Sequence, residues 1–334
     1  MPARRSRRAA AVDERSFHAW LARELPAGRG GLLPLGDDAA ALRPPPGKVA
    51  VLSIDSLVEG THFLRSSPPR KVGAAAAAVS LSDLAAKGAV PAALLLAVVV
   101  PAGTPQTWLE SVSRGAEEMA ERFRMAFVGG DTKPGPVRTV VSSVLGWGTE
   151  GALAPRTGAR PGDYVATTGT VGRGGAAAAE ILGRKRPSPR ALAAMLDVEP
   201  RVREGVALAR WAHAMLDTSD GLAEACRLLA DASRLRVDLD EALLPLSSSL
   251  RDPALSPGAL RARAFYGGDY ELLVSLGPSS LRAAASAVRR VGGRLTVVGR
   301  VSRGHGAWLR RGERLRAMPP SGWRPFARRR ARRL

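Results

Sequence analysis

The longest apolar run, AVPAALLLAVVVPAG (89–103), is bounded by prolines and ends in β-branched residues, so it reads as a buried strand. It falls short of the roughly 18 apolar residues that span a bilayer, which excludes a membrane-spanning helix there. The preceding stretch, KVGAAAAAVSLSDLAAKGA (71–89), is Ala-rich and helical, with Gly88 placed for a C-cap. Strand and helix signals alternate along the rest. Helical spacing over 13–26 stops at Pro26, and KVAVLSIDSLV (48–58) alternates like a strand. A helix at 105–124 and strands at 125–130 and 138–147 complete a first half. The turn-rich loop 148–163 marks a domain boundary.

The second half repeats the alternation. A strand at 163–172 enters a Gly-rich turn, and helices follow near 174–183, 189–197 and 201–211. Strand 212–217, helix 221–233 and strand 235–240 come next, then strands 269–276 and 294–302 around a helix at 279–290. A chain of 334 residues is too long for one ordinary core, so two α+β halves are expected, with no repeat of fixed period. The expected domains are 13–150 and 151–326, between a basic disordered tail (1–12) and an Arg-rich tail (327–334).

Aromatic residues make up only 4%, so the core must be built from Ala, Val and Leu. The net charge is +20, yet lysine supplies only five of the 50 basic residues. That skew toward Arg and Ala fits a GC-rich coding bias. The charge gathers in ARRSRRAA (3–10) and RRRARRL (328–334), as expected of solvated termini. A nucleic-acid-binding protein would use such ends, but the interleaved aromatics and the RNP, KH or zinc-finger patterns of that class are missing. The single cysteine, Cys226, allows no intrachain disulfide and reads as a small buried residue of a helix. No apolar segment follows the basic N-terminus, so no signal peptide is read and a cytoplasmic protein is expected.

The chemistry lies in the acidic residues. GDD puts Asp37 and Asp38 in a turn, and SIDSLVEGTHF puts Asp55 on a strand beside Ser53 by period two. Asp83 falls in the Ala-rich helix, Asp131 at the end of a strand in VGGDT, and Asp217 and Asp220 where a strand meets a helix in LDTSDG. Singly, these read as Asx turns or N-caps. Together they repeat one pattern, carboxylates in small, apolar surroundings, which is tolerable where cations neutralise them. Oxygen ligands without a Cys or His cluster favour Mg²⁺, which is commonly shared with substrate phosphates. A Walker A loop and the protein-kinase HRD and DFG motifs are absent. GTVGRGG (169–175) reads either as a phosphate-cradling loop or as a strand-to-helix turn that needs positive φ.

In order, GDDAA, SIDSLVEGTHF, SLSDLAAKGAVP, GGDTKPGP, PGDYVATTGTVG, MLDTSDGLAE and YGGDYELL resemble thiamine-monophosphate kinase. That family belongs to the superfamily of AIR synthetase, selenophosphate synthetase and the hydrogenase-maturation protein HypE. The resemblance covers residues 13–326. It implies an α+β fold of two α/β domains, AIR synthetase-like: an N-terminal mixed-sheet domain that pairs in a homodimer, and a C-terminal α/β domain. It implies phosphoryl transfer from ATP to thiamine monophosphate, a phosphotransferase reaction with a phosphate group as acceptor, with several Mg²⁺ ions and no general base. By the same resemblance, Asp38, Ser53, Asp55, Asp83, Asp131, Asp217 and Asp220, with the Ile54 carbonyl, form the Mg²⁺ cage. Gly130, Asp131, Arg156 and Ser219 contact ATP. His62, Gly268 and Trp323 or Phe326 meet the substrate.

The sequence also departs from the pattern. Gly268 stands where the family has a glutamate near the substrate, Lys133 replaces a threonine, and Arg173 stands where an acidic residue is common. An aromatic that would meet adenine is replaced near Ser113–Arg114. A sister ATP-dependent synthetase is the alternative enzyme. Selenophosphate synthetase generally needs a reactive Cys or selenocysteine near its N-terminus, and Cys226 is in the wrong place.

Overall fold

The computed structural model describes residues 13–25, 32–33, 38–183 and 187–322. The chain divides into two compact units. One comprises the residues up to Pro44 with Leu52–Ser80 and Pro91–Leu145; the other comprises Pro45–Val51, Leu81–Val90 and the chain from Gly146 onward.

The first unit is built around helices α1 (Glu14–Glu24), α2 (Pro69–Lys87, through Ser80) and α3 (Gln106–Arg122), and strands β1 (Lys48–Val58), β2 (Val90–Val100), β3 (Ala126–Pro134) and β4 (Thr139–Thr149). The strands form one sheet in the order β1-β4-β2-β3. Asp13 caps α1 by accepting the Ser16 N–H at 2.9 Å. Two glycines bring α2 and α3 together. A Cβ on Gly73 would lie 1.8 Å from the Val112 carbonyl, and one on Gly115 would lie 1.8 Å from that of Arg70. Ser80 and Ser142 bury their hydroxyls against each other at 2.6 Å, beside the Ala76 and Ser142 carbonyls that accept them, so burial leaves neither unsatisfied. The outer positions of β1 alternate in exposure, and Leu52 and Ile54 are 69% and 66% exposed.

Strand β3 departs from the expectation that it ends near Gly130. It continues through Asp131 to Pro134 because β2 supplies parallel partners up to Val100. The register shifts between Leu94↔Phe127 and Leu95↔Gly129, a bulge that Gly129 accommodates at φ +150°.

The second unit contains β5 (Tyr164–Thr168), α4 (Arg173–Gly183), α5 (Pro189–Leu196), α6 (Val202–Ala209), β6 (Ala212–Asp217), α7 (Leu222–Ser233) and β7 (Arg236–Asp240). It continues with α8 (Pro257–Ala264), β8 (Leu272–Leu276), α9 (Leu281–Arg290), β9 (Leu295–Ser302), β10 (Gly306–Arg311) and β11 (Arg314–Ala317), with short 3-10 turns at Glu241–Leu243 and Ser248–Leu250. Its sheet runs β11-β10-β7-β9-β5-β8-β6. It is mixed: β5 lies antiparallel between β8 and β9, and β10 runs parallel to β7. Cys226 is fully buried in the core with Leu229, Val237 and Phe265, and burial pushes its thiol far up, as expected of an inert apolar cysteine. The last turns of α2 belong to this unit, where Gly205 of α6 leaves room for the Ala85 carbonyl; a Cβ there would lie 2.0 Å away. Among the described residues, no helix is long and apolar enough to cross a membrane.

Candidate active site

Strand β6 delivers Asp217 at its end, and Thr218–Gly221 then turns into α7. Gly221 takes φ +101°, and a Cβ on it would lie 2.3 Å from the Phe265 carbonyl, so the turn lies directly on 265–268. The Gly268 N–H donates to the Ser219 carbonyl at 2.8 Å. Thr218 and Glu271 bind each other through Thr218 N–H to the Glu271 carbonyl (2.8 Å) and Glu271 N–H to Thr218 Oγ1 (3.0 Å). The acidic turn is thereby held rigidly.

Asp217 accepts the hydroxyls of Ser82 at 2.7 Å and Ser219 at 3.0 Å, with Asp83 beside it. Burial of the carboxylate and then the Asp83 charge push the Asp217 pKa up to about 6. Lys87, one turn along α2, donates to the Ala154 and Met215 carbonyls, both at 3.0 Å. Burial and then the Arg156 charge pull its ammonium down to about 8, while Asp217 and Asp83 oppose them. Asp220 is exposed at the residue level, yet partial burial of its carboxylate and then Glu224 raise its pKa, with Arg156 acting in the opposite sense. The second unit thus brings Asp83, Asp217, Ser219, Asp220 and Arg156 into one electrostatic neighbourhood.

A second pair of carboxylates in this unit does different work. Asp269 is 5% exposed and accepts the N–H groups of Gly172 (2.6 Å) and Gly174 (2.9 Å), capping α4. Glu271 is 2% exposed and takes both forks of Arg201 at 2.7 Å, the Thr168 hydroxyl at 2.7 Å and the Thr170 N–H at 3.2 Å. The Gly-rich GTVGRGG segment is therefore a strand-to-helix turn whose Gly172 and Gly174 amides are turned onto Asp269; Gly172 sits at φ +96°.

In the first unit, Ser53 and Asp55 share the half-buried face of β1 as period two predicts, and Ile54 faces the other way. Gly130 lies so close to β2 that a Cβ would sit 1.9 Å from the Leu96 carbonyl. Asp131 lies in β3 opposite Ala97, and Lys133 pairs with it at 2.8 Å and holds its carboxyl below the usual range. Ser113 is buried, and Arg114 is committed to α1, with Glu24 at 2.9 Å and Trp20 beneath its guanidinium. The Val58 N–H donates to His62 Nδ1 at 3.0 Å, and burial holds this imidazole below the ordinary histidine range. Asp38 is exposed. Asp37, Trp323, Phe326 and both Arg-rich tails lie outside the described residues. Among the described residues, no three His, Cys, Asp or Glu side chains converge as a metal centre.

Residues 36–149 match the family described as AIR synthase related protein, N-terminal domain, and residues 160–309 match its C-terminal domain. The thiamine-monophosphate kinase of Synechococcus elongatus is 35% identical over 77% of this chain and 84% of its own length. The chain belongs to the thiamine-monophosphate kinase family. The solved thiamine-monophosphate kinase of Stenotrophomonas maltophilia K279a superposes with TM-score 0.76 at 29% identity, covering 90% of this chain and 97% of that one. A structure of AaThiL complexed with AMPPCP and TMP gives TM-score 0.73 at 27% identity, over 84% and 89% of the two chains. The resemblance read from the motifs and the α+β, AIR synthetase-like fold are both borne out.

For a family member, three features of the site escaped sequence reading. Asp269 and Glu271 read as part of a strand and of the YGGDYELL motif, with no role of their own, although β8 begins at Leu272. Arg201 carried no signal beyond being one arginine among many. Lys87 carried one: in a chain that writes arginine almost everywhere, a lysine four residues after Asp83 stands out.

Proposed function

We propose that this chain transfers the γ-phosphoryl group of ATP to thiamine monophosphate, giving thiamine diphosphate and ADP. The observation that carries this reading is the Asp83–Asp217 pair, in which two carboxylates share a site lined by the Ser82 and Ser219 hydroxyls. Such a hard oxygen set suits Mg²⁺. In this reading Asp38, Ser53, the Ile54 carbonyl, Asp55, Asp83, Asp131, Asp217 and Asp220 hold several Mg²⁺ ions. When bound, these ions screen phosphate charge and orient the transferred group.

An oxygen of the acceptor phosphate forms the new bond to the γ-phosphorus as the bond to the β,γ-bridging oxygen breaks, and ADP leaves with that electron pair. The acceptor is already an anionic nucleophile at neutral pH, so no side chain need remove a proton. The obstacle is repulsion between two phosphates, and alignment lowers it further. Arg156 supplies a guanidinium for ATP, with Gly130, Asp131 and Ser219 as the other nucleotide contacts. His62 contacts the substrate, and Gly268 and Trp323 or Phe326 complete its surroundings. The reading keeps domains 13–150 and 151–326, with segments 1–12 and 327–334 outside them. A homodimer fits the exposed apolar positions Leu52, Ile54 and Leu95 of the first sheet, and the reading places the protein in the cytoplasm.

The test is purified protein with ATP, Mg²⁺ and thiamine monophosphate, with thiamine diphosphate measured directly. Unphosphorylated thiamine is the control acceptor. Turnover with thiamine monophosphate alone is expected; product from neither acceptor would overturn the reading.

A further inference from the structure

We propose that the second unit carries another anion site, for a small organic phosphate or diphosphate, in the cavity between α4, α5 and the 3-10 turn Ser248–Leu250. Its volume is about 770 Å³, within the range of small-molecule pockets. None of its lining residues is among those assigned above to Mg²⁺, ATP or thiamine monophosphate, so the proposal does not rest on that reading.

The cavity exists because both helices turn alanines toward it, including Ala176, Ala179 and Ala194, which are too short to fill the space. They make a floor suited to an organic ring. The rim is cationic and hydroxylic: Arg173, Arg190 and Arg263, with Ser247, Ser248 and Ser249. Arg173 donates to the Ala194 carbonyl at 3.3 Å, which ties α4 to α5 and fixes its guanidinium at the mouth. Ser247 is 7% exposed; it accepts the Ser249 N–H at 3.3 Å and shares a 2.9 Å hydroxyl contact with Ser249, so the serine turn is formed in advance. Two carboxylates also line the cavity. Glu180 accepts the Ser188 N–H at 3.2 Å and Asp252 accepts the Ala254 N–H at 2.9 Å, each turning an oxygen to backbone. Arg190 and Arg263 pair with no carboxylate among the described residues. Planar guanidinium forks together with hydroxyl donors are the groups that bind tetrahedral oxyanions, and the alanine floor favours an ester over the bare ion.

Calorimetric titration in EDTA tests this with two probes, inorganic pyrophosphate and ADP. Wild type is expected to bind both, ADP more tightly. Arg190→Ala/Arg263→Ala should weaken both at least tenfold, with turnover of ATP and thiamine monophosphate unchanged as proof of folding. Arg190→Lys/Arg263→Lys should recover part of the loss, and Ala194→Leu should weaken ADP more than pyrophosphate. No saturable binding to wild type, or equal binding by the double alanine variant, overturns the proposal. Loss of wild-type turnover would instead count against the kinase reading and leave this one standing.

Discussion

Two pairs of carboxylates lie in the second unit, and what faces them differs. Asp269 and Glu271 are saturated by the protein itself: two backbone amides for one, and a bidentate arginine, a hydroxyl and an amide for the other. Asp217 receives two serine hydroxyls and the Ser219 amide, with the Asp83 carboxylate and the Lys87 ammonium nearby. Protonation does not distinguish the pairs, because burial pushes Asp269 up to about 6 just as burial and Asp83 push Asp217. Partner chemistry does. Glu271 has its own guanidinium and Asp269 two amides, whereas Asp217 faces Asp83 across two hydroxyls, a grouping that the proposed Mg²⁺ ions would neutralise.

The comparison breaks most sharply under substitution of the second pair. Asp83→Asn or Asp217→Asn should lower thiamine diphosphate formation at least a thousandfold, the scale of several kcal/mol of lost charge stabilisation. Asp217→Asn should also leave the Mg²⁺-free protein as stable as wild type or more so, read by thermal melting, because it removes a repelled, desolvated charge. Near-wild-type turnover would remove these residues from the site.

Arg201→Met attacks the saturated pair and should do the opposite. Leaving Glu271 buried without its guanidinium should cost about 3–5 kcal/mol in denaturant unfolding. An unchanged unfolding midpoint would show that Glu271 is satisfied without Arg201.

The pH dependence of stability comes next. Both Asp217 and Asp269 are raised from the ordinary 3.8 to about 6, so the folded chain binds their protons more tightly than the unfolded one. Their contribution is therefore complete below about pH 4 and lost as pH rises through about 6, by at most about 3 kcal/mol each. The metal-free unfolding midpoint should fall over that window, and Asp217→Asn should flatten the fall; a slope unchanged by the substitution would contradict the assignment.

The smallest effect belongs to Gly268, between the two pairs. Gly268→Glu restores the family pattern and should lower KM for thiamine monophosphate. Its φ of +77° makes any side chain cost about 1–2 kcal/mol in stability. A raised KM would show that this position no longer meets the substrate.

Much of this was legible before any coordinates. The Ala-rich helix, the buried strand after it and the order of the acidic motifs are local signals, and they point to the fold and the family. The hairpin β10–β11 was not legible, because RRGERLRA carries no apolar alternation and depends on β7 as its parallel neighbour. Helix α8 was hidden by a weak apolar stripe, though Ser256 and Pro257 mark its start. The continuation of β3 through Asp131 depended on a partner strand distant in sequence.

Residue types and spacing alone determined which side chains could carry charge chemistry, and how strands and helices alternate, because period and turn chemistry are local properties. Which acidic side chains meet an arginine or backbone amides, and which meet another carboxylate, was decided only by tertiary structure. That distinction depends on what lies opposite each carboxylate: Arg201 70 residues from Glu271, and Ser82 135 residues from Asp217. No local pattern encodes a partner at such separation; burial and hydrogen bonding set it when the chain closes.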